Sequence, residues 1–103
     1  MIALLLAVAA PSEPATCVFD TALPAPCMLA FSTRRDGTTV MTATAGGKRA
    51  VFVGKRQSGW WSGTLDGRPA MGYELNRGNV TFATRDLART FQFYTRGNEH
   101  GSY

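Results

Sequence analysis

The chain predicts an all-β domain: a small antiparallel meander of about seven strands, closing into a barrel or a two-layer sandwich, with one disulfide. Three observations predict it. From Cys17 onward, short runs rich in Val, Phe, Thr, Trp and Tyr alternate with glycine-bearing turns at close intervals. Beyond the first ten residues, no apolar stripe recurs at helical spacing. Two cysteines, Cys17 and Cys27, follow an apolar leader, a placement that reads as a bridge in an oxidising compartment.

The elements follow in order. Ile2 to Ala10 is uncharged, about half the ~20 residues that span a bilayer, and ends in Ala7-Val8-Ala9, which fits the A-x-A cleavage rule. Residues 1–10 are therefore expected to be a signal peptide, the mature chain to be exported (periplasmic or secreted) and to hold no transmembrane segment. A cationic stretch should precede the apolar run, and only the initiator amine is present. Residues 11–16, polar and proline-bearing, read as a spacer before a β domain over 17–96, and residues 97–103 as a flexible tail. A lipid anchor on Cys17 is excluded by Pro14-Ala15-Thr16, where such a signal wants Leu and small residues.

Strands are expected at Cys27–Thr33, Thr38–Thr44, Arg49–Val53, Gly59–Leu65, Pro69–Leu75, Asn79–Thr84 and Thr90–Thr95. The turns between them are Arg35-Asp36-Gly37, Ala45-Gly46-Gly47, Gly54 to Ser58, Asp66-Gly67 and Arg77-Gly78. Only Thr84 to Arg89 could hold a helical turn, with Thr84 as its cap. If Gly54 to Ser58 is a five-residue loop, Phe52 faces Trp60 and Val51 faces Trp61. Side chains alternate along a strand, so the adjacent tryptophans look in opposite directions. Trp61 then lies in the core with Val51 and Val53, and Trp60 lies outside with Phe52. The expected core is Phe31, Val40, Val51, Val53, Trp61, Leu65, Met71, Tyr73, Val80, Phe82, Phe91 and Phe93. Roughly ninety residues behind a leader make one domain, small enough to need a staple. Closing the short loop from Cys17 to Cys27 supplies roughly 2–3 kcal/mol.

Catalysis fails by inventory. The only imidazole, His100, lies in the terminal segment, and both cysteines are committed to the bridge. Asp36 and Asp66 precede glycine and read as turn residues. Glu74, the one carboxylate inside a strand, reads as a solvent-face partner for a neighbouring arginine. No His/Cys/Asp cluster has metal-ligand spacing, so no catalytic residues, metal or cofactor are expected. Gly46-Gly47-Lys48-Arg49 lacks the spacing of a P-loop. Asn79-Val80-Thr81 matches a glycosylation sequon, but its place inside a strand makes chance the better explanation.

Charge points to the class of partner. Eleven Lys and Arg against seven Asp and Glu give +4, and all but two of the cations are arginine. The tripeptide Gly-Lys-Arg occurs twice, at 47–49 and 54–56, bracketing Ala50–Val53. Lys48, Arg49, Lys55 and Arg56 around Phe52 and Trp60 form the expected binding surface, since cations beside exposed rings suit anionic polymers. The expected function is a non-enzymatic exported domain that binds an anionic polysaccharide, a lipid head group or an envelope protein. The alternative is a structural or accessory envelope module whose charge serves only solubility. Nucleic acid is a partner only if the leader is not cleaved.

The Cys17–Cys27 pair with Pro26, the hairpins behind it, Asp66-Gly67 and Asn76-Arg77-Gly78-Asn79 together resemble small exported bacterial β domains. Those domains carry an N-terminal cysteine pair with Asp-Gly and Asn-Gly-Asn-like turns, and here Arg77-Gly78 replaces the Asn-Gly pair. The resemblance spans most of the mature chain and implies a stapled β fold. It carries over no active site, because such domains are mostly of unknown function. Periplasmic lysozyme inhibitors are another class of small stapled barrels, but their basic targets call for an acidic surface, and this chain is basic.

Overall fold

A computed structural model describes residues 11–99 of the chain. The strands are β1 (Ser12–Phe19), β2 (Ala25–Thr33), β3 (Thr39–Ala45), β4 (Lys48–Gln57), β5 (Trp60–Leu65), β6 (Arg68–Asn76), β7 (Asn79–Thr84) and β8 (Thr90–Tyr94). Each pairs antiparallel with the next, and β8 returns to β1 through Cys17↔Phe93 and Phe19↔Phe91, so the sheet is a closed barrel. One strand more is present than the seven expected.

The extra strand is β1. Residues 12–16, expected in a spacer, instead pair with Ala30 back to Pro26 on β2. Closure explains the difference: without β1, both β2 and β8 would present open edges. Pro14 is tolerated because it lies beyond the ladder to β8, which begins at Thr16. Cys17 and Cys27 are diagonal neighbours on the inner face of this pair, with Cα atoms 5.8 Å apart, and they form a disulfide. Residues 97–99, expected in a flexible tail, are fastened instead. The Asn98 N–H donates to Thr95 O at 3.0 Å, and Asn79 Nδ2 donates to Asn98 O at 2.9 Å. Residues 1–10, expected to be a signal peptide, and His100 lie outside the described residues.

The β4–β5 hairpin corrects the expected register. The loop of five residues is a two-residue turn, Ser58-Gly59, with φ of 52° and 85°, and β4 runs on to Gln57. Positive φ at both positions is the type I′ geometry whose twist matches a hairpin, and glycine carries the second position without strain. Phe52 therefore pairs with Leu65 and Arg56 with Trp61. This shift is odd in residue number, so it turns β4 over relative to β5. Phe52, expected outside, is wholly buried. Val51 and Val53 are only half-buried and face outward.

Farther along this hairpin, Gly54 pairs with Gly63 at very close approach. A Cβ on Gly54 would sit 2.8 Å from Gly63 Cα, and one on Gly63 would collide with Val53 O. The two glycines let the strands bend sharply around the barrel.

Rings fill the interior. Phe52 and Phe82 lie 4.8 Å apart between centroids, Phe19 and Phe91 5.1 Å, and Phe52 meets Trp61 edge-on at 5.7 Å. In a barrel this narrow, positions facing such rings must be small. That is why β6 turns Ala70, Gly72 and Glu74 inward and leaves Met71 and Tyr73 exposed, the reverse of the expected core. Val40 is also only half-buried. Trp61, Leu65, Val80, Phe82, Phe91 and Phe93 are in the core as expected, with Phe31 packed against it. The segment Thr84–Arg89 holds a tight loop and no helix. The Thr84 hydroxyl donates to Asp86 Oδ1 at 2.7 Å and accepts from the Arg89 N–H at 3.0 Å.

Candidate functional site at the barrel mouth

The two ends of the barrel differ. One end is tied shut by Arg89, which reaches Asp66 Oδ2 at 2.7 Å, Arg49 O at 3.1 Å and Asp20 Oδ2 at 3.9 Å. Both carboxylates are themselves anchored: Asp66 accepts the Val51 N–H and Asp20 accepts the Thr90 N–H. The guanidinium thus joins the β1–β2, β5–β6 and β7–β8 loops to β4.

The opposite end is open. A cavity of about 700 Å³ occupies this mouth. The rings of Phe31, Trp61 and Phe93 line it, with Phe31 6.4 Å from Trp61 and 5.8 Å from Phe93. The side chains of Thr33, Thr39, Thr95 and Asn98 stand around these rings, and Arg56, Arg77 and Glu13 complete the wall.

Behind the mouth wall, Glu74 is 4% exposed and accepts a short hydrogen bond from Arg56 Nε, a second from Arg56 Nη2 at 3.3 Å, and one from Trp61 Nε1 at 2.9 Å. The Arg56 guanidinium lies 5.7 Å from the Trp61 ring. Glu74 is thus an arginine's partner, as expected, but on the inner face and not the solvent face. A buried carboxylate is tolerable here because every contact answers its charge or its lone pairs. The arrangement holds Trp61 and Arg56 in fixed positions at the cavity wall.

The expected binding surface divides. Phe52 is in the core, so it cannot be part of it. Lys48 and Arg49 lie at the plugged end, where Lys48 Nζ sits 5.8 Å from the Phe19 ring beside a cavity of about 450 Å³. Lys55 and Arg56 lie at the mouth end, about 23 Å away along β4 at 3.3 Å per residue. Trp60 is outside as expected and 53% exposed. It packs on Tyr73, its direct cross-strand partner, at 5.0 Å between centroids. A cleft of about 380 Å³ runs beside both rings and the Ser58-Gly59 turn. Lys55 is diagonal to Trp60 on the same outer face.

The mouth end also gathers cations that sequence reasoning overlooked. Arg34 and Arg35 are in the β2–β3 loop, Arg77 in the β6–β7 turn and Arg96 just past β8. Among the described residues none of these four, nor Lys55, forms a salt bridge. Acids on the same end are Glu13, Asp36, Glu99 and the buried Glu74. Asp36 has its carboxyl held below the ordinary value first by hydrogen bonds from Thr38, with Lys55 and Arg34 adding to the effect.

Among the described residues, no group of three His, Cys, Asp or Glu side chains could hold a metal ion, and no helix is long and apolar enough to cross a membrane. No protein-family model, curated protein or solved structure matches the chain.

Proposed function

We propose that this chain is an exported, non-enzymatic binding module that grips an anionic polysaccharide of the cell envelope with its mouth end. The disulfide between Cys17 and Cys27 supports export, since such bridges persist in oxidising compartments. One observation carries the binding reading: Trp60 and Tyr73 form an exposed pair of rings, tilted 48° to each other, at the end of the barrel that holds Lys55, Arg34, Arg35, Arg77 and Arg96. Exposed rings offer faces to the C–H sides of sugars, and arginines meet carboxylate or phosphate in forked pairs. Natural proteins leave a contiguous ring pair in water chiefly where it is used.

An accessory module without a ligand is the competing reading, and salt separates the two. Polyanion binding rests on ion release and charge attraction, so it weakens steeply as ionic strength rises.

The test is retention of the oxidised protein on immobilised polygalacturonate, with neutral dextran and phosphatidylglycerol vesicles as comparison surfaces. The expected result is retention on the polyuronate alone that falls with salt and drops in Trp60→Ala without a change in fold. Equal retention on dextran, or none on any surface, refutes the reading. Retention on vesicles alone replaces the polysaccharide with a lipid surface.

A further inference from the structure

We infer that the mouth cavity is a pocket for the terminal uronate unit of an acidic polysaccharide, a site distinct from the outer Trp60–Tyr73 face. It deepens the proposal above and rests on it for the kind of polymer, but it has its own residues. Shape comes first. The mouth opens outward, and below it the rings of Trp61, Phe52, Phe82 and Phe93 fill the barrel. A chain cannot thread through, so only an end unit or a free monomer can enter. The cavity of about 700 Å³ falls within the usual ligand-pocket range of about 300–1,000 Å³.

The walls select the chemistry. An alkyl tail would call for a wholly apolar lining, whereas rings here alternate with the polar residues Thr33, Thr39, Thr95 and Asn98, the last two bonded to each other at 2.8 Å. A pyranose offers that same combination, one apolar face and a hydroxyl edge. The Arg77 guanidinium, with no salt bridge among the described residues, supplies a forked partner for a carboxylate. Arg56 is fixed by Glu74 above the Trp61 ring, so it is positioned before any ligand arrives. Glu13 is the one exposed acid in the wall. It can accept ligand hydroxyls, but its charge opposes an acidic ligand. That opposition makes it a diagnostic residue.

The experiment uses the oxidised chain with Trp60→Phe, so that Trp61 at the cavity wall is the sole fluorescent indole. The probes are galacturonate, galactose and the zwitterion glycine, each followed by indole fluorescence and by calorimetry. Galacturonate should bind at least about tenfold more tightly than galactose. Arg77→Gln, at an exposed position, should weaken it about tenfold with an unchanged thermal midpoint. Thr39→Phe should abolish binding by filling the mouth without adding a second indole. Glu13→Gln should tighten it severalfold by removing a like charge.

Equal affinity for galactose and galacturonate overturns the inference, as does unchanged affinity in Arg77→Gln. Binding of glycine that is lost in Glu13→Gln assigns the mouth to zwitterions and also overturns it. Retention of the polymer that depends on Trp60, without monomer binding, sinks this pocket and leaves the outer face standing. Monomer binding without polymer retention does the reverse.

Discussion

Replacing Phe52 by alanine is the sharpest probe of the hairpin register. In the register with Phe52 opposite Leu65, the ring is wholly buried and touches Phe82 at 4.8 Å and Trp61 at 5.7 Å. Truncating a buried phenylalanine costs about 3–5 kcal/mol through lost transfer energy and the cavity left behind. The neighbours cannot collapse into that space readily, because they are themselves rings held by flanking strands. In a domain of this size each kcal/mol moves the melting midpoint by about 4–8 °C, so a fall of at least about 12 °C is expected. Trp60→Ala gives up an exposed, tilted ring contact with Tyr73 of about 0.5–1.5 kcal/mol and should fall by far less. Thermal unfolding followed by near-ultraviolet circular dichroism on both oxidised proteins measures the difference. A Phe52→Ala midpoint within a few degrees of the parent, or a larger loss in Trp60→Ala, would refute the register and the interior built on it.

Other perturbations follow from the same contacts. Replacing both Cys17 and Cys27 by serine removes a crosslink closing a loop of ten-residue separation, which the chain-entropy relation puts at about 2.7 kcal/mol; denaturant unfolding should show that loss, and reduction of the parent should reproduce it. Glu74→Ala strands the Trp61 indole N–H inside the barrel and should cost about 1–3 kcal/mol, while Glu74→Gln keeps an acceptor and should cost less. The same denaturant series reads that order, and a larger loss in the glutamine variant contradicts it. Asp86 is held below its ordinary 3.8 chiefly by the Thr84 hydroxyl, then by the Ala88 N–H. Its contribution is therefore full above that value and disappears as pH falls through the lower folded value, so Asp86→Asn should flatten the acid side of the stability curve. An unaltered acid limb would count against the Thr84–Asp86 contact.

Local chemistry made much of the fold legible. Asn79–Thr84 matches β7 residue for residue, and Asp66-Gly67 forms a turn with both residues at positive φ. The alternation Val80/Phe82 and Phe91/Phe93 put the right rings inside, because these strands have one plainly apolar face. What escaped was non-local. The first strand carries proline and polar residues, and its strand state comes from pairing with β2 on one side and β8, more than seventy residues later, on the other. On β6, side-chain size pointed to Met71 and Tyr73, but rings from β7 and β8 had already taken the interior. A carboxylate in phase with Ala70 and Gly72 was the available signal for the inner face. Arg56, Trp61 and Glu74 could be joined only through the pairings Arg56↔Trp61 and Trp61↔Gly72. Those depend on reading Ser58-Gly59 as a two-residue turn. The division of the basic residues between two barrel ends follows from the same turn, since a β4 that runs to Gln57 carries Lys55 and Arg56 away from Lys48 and Arg49.

The claim that one end of this barrel meets an acidic glycan is tested most directly by nuclear magnetic resonance of the isotope-labelled oxidised protein titrated with a galacturonate oligomer. Amide and indole shifts should move at the mouth end, at Lys55, Trp60, Trp61, Tyr73 and Arg77, and the movement should shrink as salt is added. Shifts centred on Lys48, Arg49 and Arg89 at the plugged end, or a spectrum that the oligomer leaves unchanged, would contradict it.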